Sequence, residues 1–389
     1  MKSTGKSKLF LPIVIIFFLF ISCSEKKSES ILLIDVETAI QSPKQIKCSD
    51  FIESIEYVQL ETNDSCLIDK LRKIDVLDNN VIVQDVNNCF VFDSETGKFK
   101  HQIAKKGRGP GEYNRPMNLV DPKEKTVFFN TSGANILEYS IQNNLIRTIT
   151  VPTYDSGFEN PSFPTVFASY KNWLISYFGN MNGKEEKLLM AINKNTGEPD
   201  FIVPNLNTSE NAKMSISTGE ATFYSFENNL FFKEIYNDTV FKLVDKKLEP
   251  HFVLNTGKLL YSYKMRFEGG YSRLAYLLIQ DVSESDRYIN FRGIIGRKHY
   301  FFVFSKIENK LRLTEMDKGA ENDIDGFLSF KPKCKSYGNY LFGVANAYEI
   351  VQWFNENPEK AANLPPHLQK LKDIKETDNP VVMIAKLKE

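Results

Sequence analysis

The stretch that decides the fold is Lys106-Gly-Arg-Gly-Pro-Gly-Glu-Tyr-Asn-Arg-Pro116, a glycine-rich linker with strand-like sequence on both sides. Before it, short apolar runs at residues 81–83, 90–92 and 99–103 are separated by polar turns. Short apolar runs bounded by Asp, Asn, Ser and Gly are typical of strands in hairpins. The same succession of runs and turns resumes after the linker and continues to residue 149. One small antiparallel sheet therefore ends at the glycines, and another begins.

The composition favours one large all-β domain. The chain has 389 residues, among them 30 Phe and 17 Tyr, and strands accept aromatic residues well. Groups of strands recur every 40 to 50 residues or so, as do propeller blades, which are four-stranded sheets that bury their faces only against their neighbours. We predict a six-bladed β-propeller over residues 51–389, with blades near residues 67–104, 117–151, 165–203, 222–254, 289–315 and 326–387.

The last blade is predicted to need both ends of this domain. Its own strand-like runs are one short of four, and they lie at residues 326–330, 340–344 and 381–387. Ile55-Glu-Tyr-Val-Gln-Leu60 alternates apolar and polar residues, as a strand with one buried face does. We expect this segment to supply the missing strand and close the ring.

Two insertions interrupt the blades. Residues 257–286 interrupt the fifth blade, and the spacing of Leu274, Leu277, Leu278 and Val282 favours a helix over a strand there. Residues 345–377 interrupt the last blade and also carry apolar residues at helical spacing. Both segments are therefore predicted to be short helical insertions.

Several stretches resemble one family. Gly109-Pro-Gly-Glu-Tyr113 resembles the linker that leads into the first strand of an NHL-type repeat. Others are similar to signatures of the six-bladed β-propeller lipoproteins of Gram-negative bacteria, and these are Asn237-Asp-Thr-Val-Phe241 with Leu248-Glu-Pro250, Glu284-Ser-Asp-Arg-Tyr288 and Asp378-Asn-Pro-Val-Val382. Together they span most of residues 51–389. The resemblance implies a propeller at the cell envelope and no established reaction.

The N-terminus has the layout of an export signal. Three lysines precede an apolar run at residues 9–21, which is too short for a membrane span of about 20 residues. Phe20-Ile-Ser-Cys23 resembles a lipobox, which implies a signal peptide at residues 1–22 and acylation of Cys23. Ser24 then favours the outer membrane, and residues 23–50 form a tether and lead-in. The alternative is a plain signal peptide with an incidental cysteine.

Charge and cysteine usage limit the partners. Removing residues 1–22 takes away three lysines and leaves 46 basic against 49 acidic residues. A slightly acidic chain without a basic run disfavours nucleic-acid binding. The remaining cysteines lack the C-x-x-C pairs of zinc sites, so they are either unpaired or joined in up to two disulfides, and they are Cys48, Cys66, Cys89 and Cys334. We expect no metal site and no cofactor.

Two groups of side chains are candidate ligand contacts. No helix follows the linker glycines, so a phosphate-binding loop is disfavoured. The linker should border the central channel, where its polar side chains would contact a ligand or pack between blades; these are Arg108, Glu112, Tyr113 and Arg115. The first insertion gathers aromatic rings and arginines that suit a sugar or peptide, or form a lid packed on the blades, and these include Tyr263, Arg266, Tyr271 and Arg273.

An enzymatic alternative has little support in the motifs. The four histidines, His101, His251, His299 and His367, lie in different predicted elements. The chain contains no H-x-H, H-E-x-x-H or G-x-S-x-G motif, and we assign no catalytic residue. We therefore predict a binding or scaffolding module for a carbohydrate, peptide or protein partner. A propeller enzyme of metal-dependent lactonase or lyase type is the alternative.

Overall fold

The computed structural model describes Met1 and residues 31–131, 135–152, 164–210, 212–213, 219–268, 272–333 and 338–389. Residues 32–389 form one compact unit. Its strands make six separate sheets, in which neighbouring strands are almost all antiparallel. The predicted all-β, six-bladed β-propeller is confirmed. The expected signal peptide at residues 1–22 lies outside the described residues, so it stays a prediction.

The first three blades follow the sequence in simple order. The chain enters through β1 (Leu32–Asp35), α1 (Val36–Ile40) and β2 (Ile52–Gln59). The first blade has β3 (Lys73–Leu77), β4 (Asn80–Gln84), β5 (Cys89–Asp93) and β6 (Phe99–Gln102). The second has β7 (Arg115–Asp121), β8 (Thr126–Asn130), β9 (Asn135–Ser140) and β10 (Leu145–Thr150). The third has β11 (Pro164–Tyr170), β12 (Trp173–Phe178), β13 (Lys187–Asn193) and β14 (Pro199–Pro204).

The last three blades carry the insertions. The fourth has β15 (Ala221–Phe226), β16 (Asn229–Glu234), β17 (Thr239–Val244) and β18 (Lys247–Asn255), and α2 (Tyr263–Glu268) follows it. The fifth has β19 (Leu278–Glu284), β20 (Tyr288–Ile295), β21 (Lys298–Ser305) and β22 (Lys310–Glu315). The sixth has β23 (Tyr340–Ala345), then α3 (Ala347–Glu356), α4 (Pro358–Ala361), α5 (Pro366–Gln369) and β24 (Val381–Leu387).

The ring closes as predicted. β24 lies between β23 and β2 in the sixth blade, so the outermost strand comes from the start of the domain. Tyr57 faces Met383 in the antiparallel register, and Val58 faces Val382. Side chains of β2 and β24 also pack against the first blade in one buried cluster. The two ends of the chain therefore complete one blade between them.

The predicted strand at residues 326–330 is wrong. The innermost position of the sixth blade is instead marked by a bridge between Pro332 and Gly343. The segment before it turns because Asp325 captures the N–H of Phe327 at 3.0 Å, and side-chain capture of this kind competes with a strand ladder. Phe327, an apolar residue of the predicted strand, instead packs in the core beneath the helical insertion.

The predicted helix across Leu278 and Val282 is also wrong. Residues 278–284 form β19, which pairs with β20 and completes the fifth blade. Among the described residues between β18 and β19, the helical elements are 3-10 turns and the six-residue α2. Leu278, Ile279 and Val282 are all buried. Leu278 and Val282 are four residues apart, a spacing that fits one face of a strand as well as one face of a helix, so it does not distinguish the two.

The lead-in at residues 23–50 is structured from Leu32 onward. β1 adds a fifth, parallel strand to the edge of the fourth blade, with Leu33 opposite Val253. Asp35 then caps α1 by accepting a hydrogen bond from the N–H of Thr38 at 3.1 Å. Farther on, the N–H of Cys48 donates to Glu321 O at 2.8 Å, close to the sixth blade. This segment therefore runs along the propeller before the first blade begins.

Helices fill the insertion in the last blade, as predicted. Asn346 and Glu349 form a capping box at the start of α3, in which the N–H of Asn346 donates to Glu349 Oε2 at 3.0 Å. Ile350 and Phe354 are buried on one face of α3 and pack with Phe327. Such amphipathic packing anchors a helix that is too short to be stable alone.

Three cysteines are buried and unpaired. Cys48, Cys66 and Cys89 lie in blade cores and form no disulfide with one another. Burial raises the pKa of the Cys48 thiol to about 12. Thiols in such surroundings remain protonated and unreactive. Cys334 lies outside the described residues.

We expect removal of residues 380–389 to destabilise the whole propeller, because β2 and β23 lose the strand between them. Equilibrium unfolding should show a lower midpoint for a single cooperative transition. Truncation after Leu387 is the control, since it removes only two exposed residues. A midpoint equal to that of this control would contradict closure through β24.

Candidate ligand-binding site

The glycine-rich linker is held by its own polar groups. The N–H of Gly107 donates to Tyr113 O at 2.9 Å, and the N–H of Gly109 donates to Glu112 Oε2 at 2.8 Å. A Cβ at Gly107 would lie 2.0 Å from Glu112 Oε2, so a larger residue there would displace the Glu112 carboxylate. Glu112 thus braces the loop. Ligand contact by the exposed side chains of Arg108 and Arg115 stays a prediction.

Tyr113 does not face a ligand, which corrects one expectation from the sequence. Its side chain is 0% exposed. The ring stacks on Phe129 with centroids 4.5 Å apart, and the hydroxyl donates to Asn87 O at 2.8 Å. Tyr113 is thus packed between the first and second blades. The sequence predicts that an aromatic residue in this linker borders the central channel, whereas the glycine turn directs Tyr113 into the interface between blades.

Two predicted contact residues in the fifth-blade insertion are buried as well. Arg266 donates to Glu220 Oε1 at 2.9 Å and to the Tyr236 hydroxyl at 2.7 Å. The Tyr263 hydroxyl donates to Glu234, which also accepts from the Tyr177 hydroxyl at 3.1 Å. The insertion is therefore a lid packed on the third and fourth blades, the alternative considered above. An exposed platform is wrong for Tyr263 and Arg266.

Of the other two predicted contact residues in that insertion, the structure describes only Arg273. The Arg273 guanidinium lies 5.8 Å from the centre of the Tyr261 ring, and its side chain is partly exposed. Tyr271 lies outside the described residues. Ligand contact by Arg273 and Tyr271 stays a prediction.

Ionisable groups under this lid have shifted pKa values. Burial raises the pKa of the Glu234 carboxyl to about 7 and also raises that of Glu220. Burial lowers the pKa of the Lys233 ammonium to about 8. Its Nζ donates to the backbone carbonyls of Glu234 and Asn237. Shifted pKa values often mark functional sites. Here, however, the two carboxylates accept hydrogen bonds from Tyr263 and Arg266 of α2, and these bonds hold the lid on the blades.

A cavity lies between the sixth blade and its helical insertion. It has a volume of about 670 Å³, and we call it the insertion cavity. Volumes of about 300 to 1,000 Å³ are usual for ligand sites. Its walls are the segment before β23, the end of β23, α3 and α4; they include Asp317, Lys318, Glu321, Asn322, Asp323, Asp325, Phe327, Ser329, Lys331, Glu349, Trp353, Lys360 and Asn363.

Aromatic rings form one side of the insertion cavity. Trp353 is half-buried and meets Phe327 edge to face, with ring centroids 4.7 Å apart. Phe354 packs against Trp353 from the same helix, at 5.4 Å. The indole is thereby fixed in orientation while part of it remains accessible. A fixed, partly exposed ring gives a ligand a stacking face at little entropic cost.

Polar groups on the other side are pre-organised. Asn322 Nδ2 donates to Asp325 Oδ1 at 2.6 Å and to the Tyr57 hydroxyl at 2.9 Å. That hydroxyl donates to Asp325 Oδ2 at 2.9 Å, and burial raises the pKa of Tyr57 far above its usual range. Lys331 pairs with Glu349 at 3.1 Å across the cavity wall. The cavity therefore presents oriented carboxylates, amides and ammonium groups around an aromatic face.

Sequence reasoning missed this cavity. The acidic stretch Glu321-Asn-Asp-Ile-Asp325 and Trp353 stand some thirty positions apart, and only the fold brings them together. The signals in the sequence that could have indicated a ligand site were a tryptophan in a predicted helical insertion and an Asp-rich segment in the same blade.

A match to a protein family covers almost the whole folded unit. The model of a domain of unknown function, DUF4934, matches residues 31–386. The chain belongs to this family. No curated protein is significantly similar to this DUF4934 chain. Lipoprotein character and the NHL-type likeness of the linker stay predictions.

A solved structure shows the same fold at low identity. A protein from Bacteroides fragilis that is described as exported has a TM-score of 0.66 and 15% identity, over 92% of this chain and 100% of its own. The PQQ-bound aldose sugar dehydrogenase of Streptomyces coelicolor has a TM-score of 0.41 and 12% identity, over 86% and 99%. The first likeness shows a common fold alone, and the second is too distant to support an argument.

Two kinds of feature are absent from the described residues. In those ranges no three His, Cys, Asp or Glu side chains group together as ligands for a metal. No helix there has the length and apolarity to cross a membrane.

We expect Glu234→Gln to change how stability depends on pH. Between pH 4.5 and about 7 folded Glu234 keeps a proton that the unfolded chain has released, so stability falls as pH rises through this window. One proton corresponds to a slope of up to about 1.4 kcal/mol per pH unit. Denaturant unfolding from pH 4 to pH 8 should show this decline reduced in the variant.

The exposed Glu95 provides a control, since Glu95→Gln removes a carboxylate away from the lid. Its profile should match that of the unaltered chain. An unchanged profile in Glu234→Gln would show that Glu234 does not titrate in this range.

Proposed function

We propose that this protein is a binding module of the cell envelope that takes a carbohydrate ligand in the insertion cavity. One observation carries the proposal: the cavity joins the partly exposed Trp353 ring to carboxylates, among which Asp325 is held in orientation by Asn322. Sugars present apolar ring faces and many hydroxyls, which need a stacking surface and both donors and acceptors of hydrogen bonds.

The charges of the cavity support a neutral, hydroxyl-rich ligand. Its lining has five carboxylates and three lysines, spread over both walls. A strongly cationic or anionic ligand would meet like charges in either orientation, whereas hydroxyls can donate to carboxylates and accept from lysines. Asn322 and Asp325 are already held by Tyr57, so little ordering is required on binding.

An envelope location agrees with the N-terminal sequence. Lysines, an apolar run and Ser22-Cys23 have the layout of an exported lipoprotein. The Bacteroides fragilis protein with the same fold is described as exported. We infer an outer-membrane anchor through acylated Cys23.

Ligand binding can be observed at a single tryptophan. The chain has two tryptophans, so Trp173→Phe leaves Trp353 as the only one. Titration of this variant with neutral gluco-, manno-, xylo- and galacto-oligosaccharides should give a saturable change in emission with at least one of them. Trp353→Ala, followed by calorimetry with that sugar, should weaken binding by about 1 to 3 kcal/mol, as expected for an aromatic anchor.

Two controls accompany this measurement. The unaltered chain and Trp173→Phe should bind the sugar with equal affinity, because Trp173 lies in the third blade and bonds to Asp200. Trp353→Phe should retain part of the affinity because it keeps a ring. No response to any of these sugars, or full affinity in Trp353→Ala, would exclude carbohydrate binding in this cavity.

We expect Cys23→Ala to release the protein from membranes. Acyl chains on Cys23 contribute about 0.8 kcal/mol for each buried methylene, and two or more chains hold a protein stably. The unaltered protein and a Ser24→Ala control should enter the detergent phase on phase separation, and Cys23→Ala should stay in the aqueous phase. Recovery of Cys23→Ala in the detergent phase would refute the anchor.

A further inference from the structure

A second cavity lies where the inner strands of four blades approach one another. It has a volume of about 170 Å³ and shares no residue with the insertion cavity. The inner strands of several blades face each other only around the propeller axis, so this space is part of the central channel. Its polar lining consists of Arg72, Lys73, Asn118, Asp281, Arg292 and Lys333.

Positive charge predominates in this second cavity, which we call the channel cavity. Arg292 Nε pairs with Asp281 Oδ2 at 2.8 Å, and Lys73 pairs with nearby Asp75 at 3.1 Å. Four cations against these two acids leave a formal excess of two positive charges. Within the described ranges, no carboxylate forms an ion pair with Arg72 or Lys333.

A buried amide next to the channel also has a free donor. Gln84 is fully buried and stands opposite Lys73 in the β3–β4 ladder. Its Oε1 accepts a hydrogen bond from the N–H of Asn118 at 3.0 Å. Its Nε2 has no hydrogen-bond partner among the described residues. A buried donor left without a partner is costly, which indicates an acceptor that the described residues do not supply.

The backbone is irregular at the same place. The pairing of β7 with β8 shifts register between Pro116 and Leu119. Within this bulge Asn118 has a φ of +54°. Left-handed conformations cost free energy in residues other than glycine, and they concentrate at ligand sites along with β-bulges. The bulge brings Asn118 to the channel wall.

We propose that the central channel binds a small oxyanion, a phosphate or carboxylate group, between Arg72 and Lys333. Like charges gathered in a concave cavity focus a positive potential, which an anion relieves. A guanidinium offers paired donors that match either group, and an ammonium adds a point charge. At 170 Å³ the cavity is smaller than pockets for drug-sized ligands, so a single anionic group or a small diacid fits best.

The test uses inorganic phosphate and succinate on the mature, non-acylated chain, with sodium chloride at equal ionic strength as reference. At least one of the two anions should raise the unfolding temperature above the chloride value and give a saturable calorimetric isotherm. In Arg72→Met/Lys333→Met the dissociation constant should rise at least about tenfold, since each lost hydrogen bond to a charged group is worth about that much.

A matched variant controls for net charge. Lys264→Met/Lys298→Met also removes two cations, from side chains that are 77% and 65% exposed. It should bind the anion as the unaltered chain does. If the channel double variant does not fold, Lys333→Met decides alone, because that exposed side chain can be replaced without disturbing a core.

Two results would overturn the proposal. One is an unfolding temperature that neither phosphate nor succinate raises above the chloride value. The other is a channel variant, double or single, whose affinity stays within twofold of the control. Neither result bears on the sugar titration, which reports on Trp353 in the other cavity.

Discussion

The pairing of β2 with β24 is the interaction on which the ring depends. A propeller blade buries its faces only against its two neighbours, so an open ring would leave two sheets partly uncovered. The sixth blade has no outer strand of its own, and β2 supplies it from the other end of the domain. Val58 of β2 and Val382 of β24 pack in one cluster with Val81 and Phe92 of the first blade. Closing the sheet and closing the ring are therefore the same event.

Buried polar contacts fix how neighbouring blades sit on one another. The Tyr177 hydroxyl of the third blade donates to Glu234 of the fourth, and the Tyr224 hydroxyl of the fourth donates to Glu284 of the fifth at 3.0 Å. Apolar packing alone tolerates sliding between sheets, whereas a buried hydroxyl must meet its acceptor. The blades are thus registered by directional bonds within an otherwise apolar interface.

The sequence predicts this architecture well because strands and turns are local features. Turn residues and short apolar runs locate most blades, and alternation in residues 55–60 identifies the closing strand. The sequence misassigns β19 because the four-residue spacing of Leu278 and Val282 fits a strand face as well as a helix face. Tyr113 and Arg266 are misjudged as ligand contacts because exposure depends on which blades meet. The insertion cavity joins Asp325 to Trp353, and such a distant pairing exists only after folding.

The route of the lead-in along the propeller has a mechanical consequence. Tension applied to the chain before Leu32 reaches the β1–β18 ladder on the fourth blade first. It next meets α1, which contacts β22 of the fifth blade. Beyond α1 the load meets the hydrogen bond from the Cys48 N–H to Glu321 O, and it then arrives at β2 and the seam of the ring. Under tension, β1 should therefore detach from the fourth blade before the pairing of β2 with β24 breaks and the ring opens.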